Sequence, residues 1–299
     1  MFFIRYNTDA MSKYAAYSSS SAQAHSSSTP PFELLLVEDD EVSRLYLRTL
    51  LSSLGYRVTC AESGETALRH WEKHYYGAIL LDIQLPEMSG LDVAARIRSL
   101  EYENKRERVP IIALTAYSSE EDRRKIEEVG MDQYLTKPTD ATALEQVLDS
   151  IRASKSAGPP TGDASEENHN ESGRLTQKSA SDEQPAASPE EYARRLQKEF
   201  EGAEDTLSQM VEMSLEEIPA QLQHIERCID EERGDAGTRH AHSLANVAGI
   251  LFAADIREKT LKLEKLLRSA DFTSARSRYE HVAASCSPLL EALRSLQKT

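Results

Sequence analysis

The chain has no apolar run approaching the roughly 18–20 residues that a bilayer-spanning helix needs, so no direct membrane insertion is expected. Its three cysteines, Cys60, Cys228 and Cys286, are few, widely separated and odd in number. That argues against a disulfide framework and for a reducing, cytoplasmic setting. The opening MFFIRYNTDA carries too short an apolar segment for a secretory signal. Positive charge is scarce, with 35 Lys and Arg against 50 Asp and Glu and a formal charge of −15. A nucleic-acid partner is therefore not expected, because phosphate contacts require a basic surface. The acid excess instead suits a protein that holds a divalent cation or meets basic partners. No glycine-rich ATP-binding segment and no basic recognition helix is found, which excludes a self-contained kinase and a DNA-binding output.

At 299 residues the chain is long enough for two domains of ordinary size. Residues 1–31 end in the low-complexity SSSSAQAHSSSTPP and are expected to form a disordered Ser-rich tail. From Phe32 the pattern changes. FELLLVE, YRVTCAE, YGAILLD, VPIIALTA and DQYLTK read as five strands that alternate with five amphipathic helices, the first stopped by Gly55. Continuous apolar strands without polar alternation indicate a parallel sheet covered on both faces, an α/β doubly wound domain over 32–153. Residues 154–188 are poor in apolar side chains and rich in Ser, Gly, Pro and acids, and read as a flexible linker. Its 35 residues would span on the order of 30 Å as a random coil.

Beyond the linker no strand pattern occurs. Ser188 and Pro189 stand in helix-capping positions. Apolar residues then step by three and four through Leu207–Ile229, Ile256–Leu267 and Ala275–Leu296, with a kink expected at Pro219. The expectation for 189–299 is a separate all-α domain, an antiparallel four-helix bundle.

The chemistry sits at the strand ends. Glu38 and Asp39 follow the first strand, Asp82 the third, Thr115 ends the fourth and Lys137 follows the fifth. A parallel sheet gathers these carboxyl ends on one edge. Three carboxylates so close repel one another unless a cation lies between them, and all-oxygen ligands with room for water suit Mg²⁺. Lys137 adds a second positive charge and Thr115 a hydroxyl. Such a set can orient a phosphoryl group on Asp82, where positioning and charge neutralisation carry most of the catalysis. Asp40 reads as the cap of the first helix.

LLLVEDDEVSR, LLDIQLPEMSG, LTA and YLTKP, separated by 43 residues from Asp39 to Asp82, 33 to Thr115 and 22 to Lys137, resemble a response-regulator receiver domain of flavodoxin-like fold. The resemblance implies that Asp82 is the phosphoacceptor and that Glu38, Asp39, Asp82 and the backbone carbonyl of Gln84 hold Mg²⁺. It further implies that Thr115 and Lys137 bind phosphoryl oxygens, that Tyr134 is a switch aromatic coupled to Thr115, and that the Lys137–Pro138 bond is cis.

The output must then come from the bundle, where RHAHSLANVAGILFAA holds His240 and His242. On a helix these two lie about 200° apart and cannot serve one site. His240 is flanked at one turn by Leu244 and Val247 and reads as structural. His242 is flanked by Ala245, Asn246, Gly249 and Ala253, a low surface that leaves its imidazole exposed to an approaching protein. A neutral imidazole is a competent phosphoryl acceptor near neutral pH. This stretch with the surrounding bundle resembles a histidine phosphotransfer (HPt) domain, which implies that His242 carries phosphate and that Arg239, Ala245, Asn246 and Gly249 form its docking face. The chain departs from the family's usual lysine and glycine at Ala245 and Asn246, and has Phe252 where a small glycine is common. Arg239 is the candidate substitute for the lysine.

Together the resemblances imply a phosphorelay intermediate, a phosphoryl carrier rather than a kinase. A sensor histidine kinase would supply Asp82, and His242 would pass phosphate to or from receiver aspartates, including a downstream response regulator. Two alternatives remain at this point: a phosphorylation-controlled interaction protein whose bundle docks a kinase or effector without carrying phosphate, and a phosphate sink acting by hydrolysis at Asp82.

Overall fold

The computed structural model describes residues 32–116, 120–139, 141–156 and 187–297, with side chains left out at 154–156. The tail expected over 1–31 lies outside the described residues, as does most of the linker expected over 154–188.

The first domain alternates strands β1 (Glu33–Val37), β2 (Arg57–Ala61), β3 (Ala78–Asp82), β4 (Ile111–Thr115) and β5 (Gln133–Thr136) with helices α1 (Glu41–Ser53), α2 (Gly64–Lys73), α3 (Gly90–Asn104), α4 (Glu120–Glu128) and α5 (Ala141–Ser156). All strand pairs are parallel, in the order β2-β1-β3-β4-β5. The central β3 and β4 are buried at every position, and polar residues reach the surface on the outer β2 and β5. Strand residues alternate between two cores. Leu34, Leu36, Leu80 and Leu114 pack with α1 and α5, whereas Leu35, Val37, Leu81 and Ala113 pack with Trp71, Val93, Ile97 and Ile126.

Helix ends follow local chemistry. The Asp40 side chain accepts the Ser43 N–H at 2.8 Å and starts α1, and Gly55 at φ +84° turns the chain after it. α5 continues past 153 to Ser156, so the connecting segment begins later than the composition implied.

Helices α6 (Pro189–Glu199), α7 (Glu204–Asp230), α8 (Gly234–Ile250), α9 (Ala254–Arg268) and α10 (Phe272–Gln297) follow. α7 to α10 form the four-membered antiparallel bundle, and α6 lies against α10 as a fifth helix. Ser188 caps α6 by accepting the Glu191 N–H, with Pro189 in its first turn. α7 remains helical through Pro219 from end to end.

The two domains are packed together. α1 lies against α7 and α8, and the core of the bundle is continuous with the α1/α5 side of the sheet.

Candidate functional site

Sheet register places the chemistry. Val37 is level with Leu81 and Ala61, Asp82 with Leu114, and Thr115 with Thr136, so the carboxyl ends of β1, β3, β4 and β5 share one edge. Glu38 and Asp82 are almost fully buried there, at 0% and 1% exposure. The Lys137 Nζ sits between them, 2.6 Å from Glu38 Oε2 and 2.7 Å from Asp82 Oδ2. The Lys137 N–H donates to the Thr115 carbonyl at 2.7 Å, and the Gln84 N–H donates to Asp82 Oδ1 at 3.0 Å. Glu38, Asp39 and Asp82 each offer a carboxylate oxygen, all within 4.8 Å of one another.

Electrostatics follow from this burial. Burial pushes the Glu38 pKa well up, against the pull of Lys137. Burial also raises that of Asp39, with the Asp82 charge adding to it. At Asp82 burial acts upward too, but the charges of Lys137 and His242 and the hydrogen bonds from Lys137 and Gln84 outweigh it and hold the carboxyl below its usual value. Burial opposes the Lys137 ammonium, yet Asp82 and Glu38 hold its pKa above the ordinary lysine range. Two of the three clustered carboxyls thus resist ionisation, and the buried Glu38 Oε1 has no hydrogen-bond partner among the described residues. That is the signature of an oxygen-donor site that a hard cation would relieve.

Thr115 is buried at the same edge. Tyr134 lies on β5 level with Ala113, half-buried under the Arg123 guanidinium at 5.0 Å from the ring centre. The Lys137–Pro138 bond is cis, as expected.

The two histidines of α8 diverge. His240 turns to α7, its Nδ1 2.8 Å from Gln221 Oε1 and its ring 4.7 Å from that of His224. Burial, then the neighbouring His224 and Arg239 charges, lowers its pKa. His242 turns to α9, with Nδ1 3.5 Å from Glu264 Oε2.

One expectation is corrected. His242 was expected on an open surface, but it is only 5% exposed, and Ala245, Asn246 and Gly249 are buried with it. The α/β domain accounts for the difference, because it is seated on α8. Asn246 and Ile250 share a small cavity wall with Glu38, Lys137, Pro138 and Thr139. A Cβ on Gly249 would stand 3.3 Å from the Pro138 ring and 3.0 Å from the Arg257 side chain. The imidazole is therefore buried at the seam between bundle and receiver, close enough to act electrostatically on Asp82. Arg239, expected at this face, is exposed, and its charge acts on His240.

Four further residues meet the site unannounced by sequence reasoning. Glu264 is fully buried, with Oε1 2.7 Å from Arg268. Arg268 also borders a pocket of about 90 Å³ shared with Gln84 and Thr115. The Arg257 guanidinium donates to the Lys137 carbonyl at 2.6 Å. Gly90 lies so close to Asp82 that a Cβ there would overlap the Asp82 carbonyl. Glu264 had a readable signal: it falls on the apolar stripe of α9, between Thr260 and Leu267, where an acid must be buried.

Comparison with known proteins agrees with this architecture. Residues 34–149 match the response regulator receiver domain and residues 209–296 match the Hpt domain. The aerobic respiration control sensor protein ArcB of Escherichia coli is 38% identical over 120 residues, covering 40% of this chain and 15% of ArcB. The virulence sensor protein BvgS of Bordetella bronchiseptica is 27% identical over 234 residues, covering 78% of this chain and 18% of BvgS. The chain thus spans less than a fifth of the length of the sensor proteins it matches. The crystal structure of the receiver domain of sensor histidine kinase PA1611 from Pseudomonas aeruginosa, with magnesium in its active-site cleft, is 40% identical. It covers 42% of this chain and 99% of that one, with a TM-score of 0.38. With the parallel sheet, the acidic edge and the bundle in place, the chain belongs to the response-regulator receiver family and carries an Hpt domain C-terminal to its receiver.

Proposed function

We propose that this chain is a phosphorelay intermediate in which Asp82 receives a phosphoryl group from a sensor histidine kinase and His242 exchanges phosphoryl groups with receiver aspartates. The observation that carries the reading is the burial of His242 on α8, the helix on which the receiver's Lys137–Thr139 loop is seated, near enough for an electrostatic effect on Asp82. Asp82, kept ionised by Lys137, is the nucleophile. Lys137 and Thr115 orient phosphoryl oxygens, with Tyr134 as the switch aromatic. Glu38, Asp39, Asp82 and the Gln84 carbonyl are the ligands for Mg²⁺, which when bound neutralises charge on the phosphoryl oxygens.

In transfer to the bundle, an imidazole nitrogen forms the P–N bond as the P–O bond to Asp82 breaks, its electron pair returning to the carboxylate. Glu264 Oε2 lies 3.5 Å from Nδ1 and flanks the ring from the α9 side. The chain would thus act as a carrier in the cytoplasm, with a downstream receiver as the final partner. No helix among the described residues is long and apolar enough to cross a membrane.

The test is to incubate the chain with Mg²⁺ and a phosphorylated kinase and follow label stability. Label on Asp82 is alkali-labile, whereas label on His242 is acid-labile and survives alkali. Acid-labile label that requires Asp82 supports the relay. Absence of such label from every phosphorylated receiver tried would leave the bundle a docking module.

A further inference from the structure

We propose that Arg257 is a positioning residue that seats this chain's own receiver on the bundle, so that His242 is closed to other receivers until the two domains part. The proposal deepens the relay reading by naming the first partner of His242.

The contact is built from both sides. The Arg257 guanidinium crosses from α9 to the Lys137 carbonyl at 2.6 Å, in the loop that also carries the Nζ bound to Asp82. A charged donor on a partly buried carbonyl is among the stronger hydrogen bonds. Beside it Gly249 has no side chain, and a Cβ there would crowd the Arg257 side chain at 3.0 Å and the Pro138 ring at 3.3 Å. Asn246 and Ile250 close against Pro138 and Thr139 with a residual cavity of about 10 Å³, room for one water at most. α1 packs on α7 and α8 along the same seam. Packing this close, and not a shared charge alone, accounts for the burial of His242.

Two consequences follow from geometry. His242 has one approach, and while the chain's own receiver fills it no second receiver reaches the imidazole. Because both domains are on one chain, an outside receiver competes against a local concentration up to the millimolar range. Delivery to a downstream receiver therefore requires undocking, and Arg257 sets how readily that happens.

Diethyl pyrocarbonate, which modifies accessible imidazoles, reads the closure on the full chain without any phosphotransfer. The exposed His281 of α10 is the internal reference, and His240, held by Gln221 inside the bundle, reports bundle integrity. His242 is expected to react more slowly than His281. Arg257→Ala removes the charged hydrogen bond and should raise His242 reactivity about ten-fold, with His240 unchanged. Arg257→Lys should restore part of the protection. Gly249→Glu, a wedge from the other helix, should open the same seam while Arg257 remains.

In parallel, an Asp82→Asn chain mixed with a His242→Gln chain at micromolar concentration makes transfer intermolecular. It should run about ten-fold or more below the single intact chain. Equal reactivity of His242 and His281 in the wild type, no change on Arg257→Ala, or mixed chains as fast as the intact one would overturn the proposal. A His242 that stays protected and takes no label would count against the relay reading and leave this arrangement standing.

Discussion

Lys137 stands between two buried carboxylates, and its worth lies in what it prevents. Without its ammonium, Glu38 and Asp82 would confront each other at the bottom of the site with no counter-charge from that loop. Lys137→Ala is expected to cost about 3–5 kcal/mol of stability, the usual penalty for breaking a buried pair from one side, as read by urea denaturation. Mg²⁺ should recover part of that loss. Phosphoryl uptake on Asp82 should fall by about two orders of magnitude, since an oriented positive donor is removed. Gly90 acts through shape instead. Its N–H donates to the Ile83 carbonyl at 2.9 Å, and a methyl group at its Cα would overlap Asp82 main-chain atoms. Gly90→Ala should cost about 1–3 kcal/mol as forced overpacking and weaken Mg²⁺ binding in calorimetric titration, because the Asp82 backbone must move.

Strands β1, β3, β4 and β5 were legible because each is a short apolar run ending in a polar residue, and parallel pairing leaves those ends level. Helix α8 was legible as an amphipathic helix, but its terminus was not. Phe252 follows the Leu251 cap at φ +56°, a left-handed conformation that glycine adopts freely. The side chain compensates by packing edge-on to Phe200, ring centres 6.3 Å apart. Phe252→Ala forfeits the packing and keeps the backbone strain, whereas Phe252→Gly forfeits the packing and relieves it. Ala should therefore be the less stable variant by about 1 kcal/mol, measured by chemical denaturation. Glu264 and Arg257 were missed for a related reason. A helical stripe reports which face is buried, not whether that face meets its own bundle or another domain.

For the assembled molecule, the carboxylate edge ties metal binding, pH and domain closure together. The pKa values of Glu38 and Asp39 are raised in the folded chain, so their contribution to stability falls as pH rises above the ordinary carboxyl range and they are forced to ionise. Asp82, whose pKa is lowered, behaves oppositely and loses its contribution only in acid. A bound cation removes the penalty at Glu38 and Asp39 and requires both ionised. The melting-temperature gain on adding Mg²⁺ should thus be larger at about pH 8 than at about pH 5.5, a comparison scanning fluorimetry can make. A gain that shrinks with rising pH would place the cation elsewhere.

The amino-acid sequence by itself determined the two domains, the parallel sheet and the convergence of Glu38, Asp39, Asp82, Thr115 and Lys137, because apolar periodicity sets the elements and strand polarity sets which ends meet. It also separated His240 from His242, since two helical steps turn a side chain to the far face. Only the tertiary structure decided what His242 faces. Its burial and the Arg257 contact to Lys137 arise where α8 and α9 meet the receiver, and the Glu264 carboxylate comes beside it where α9 packs on α8. The Arg257–Lys137 contact joins residues 120 positions apart and leaves no periodic trace in the chain.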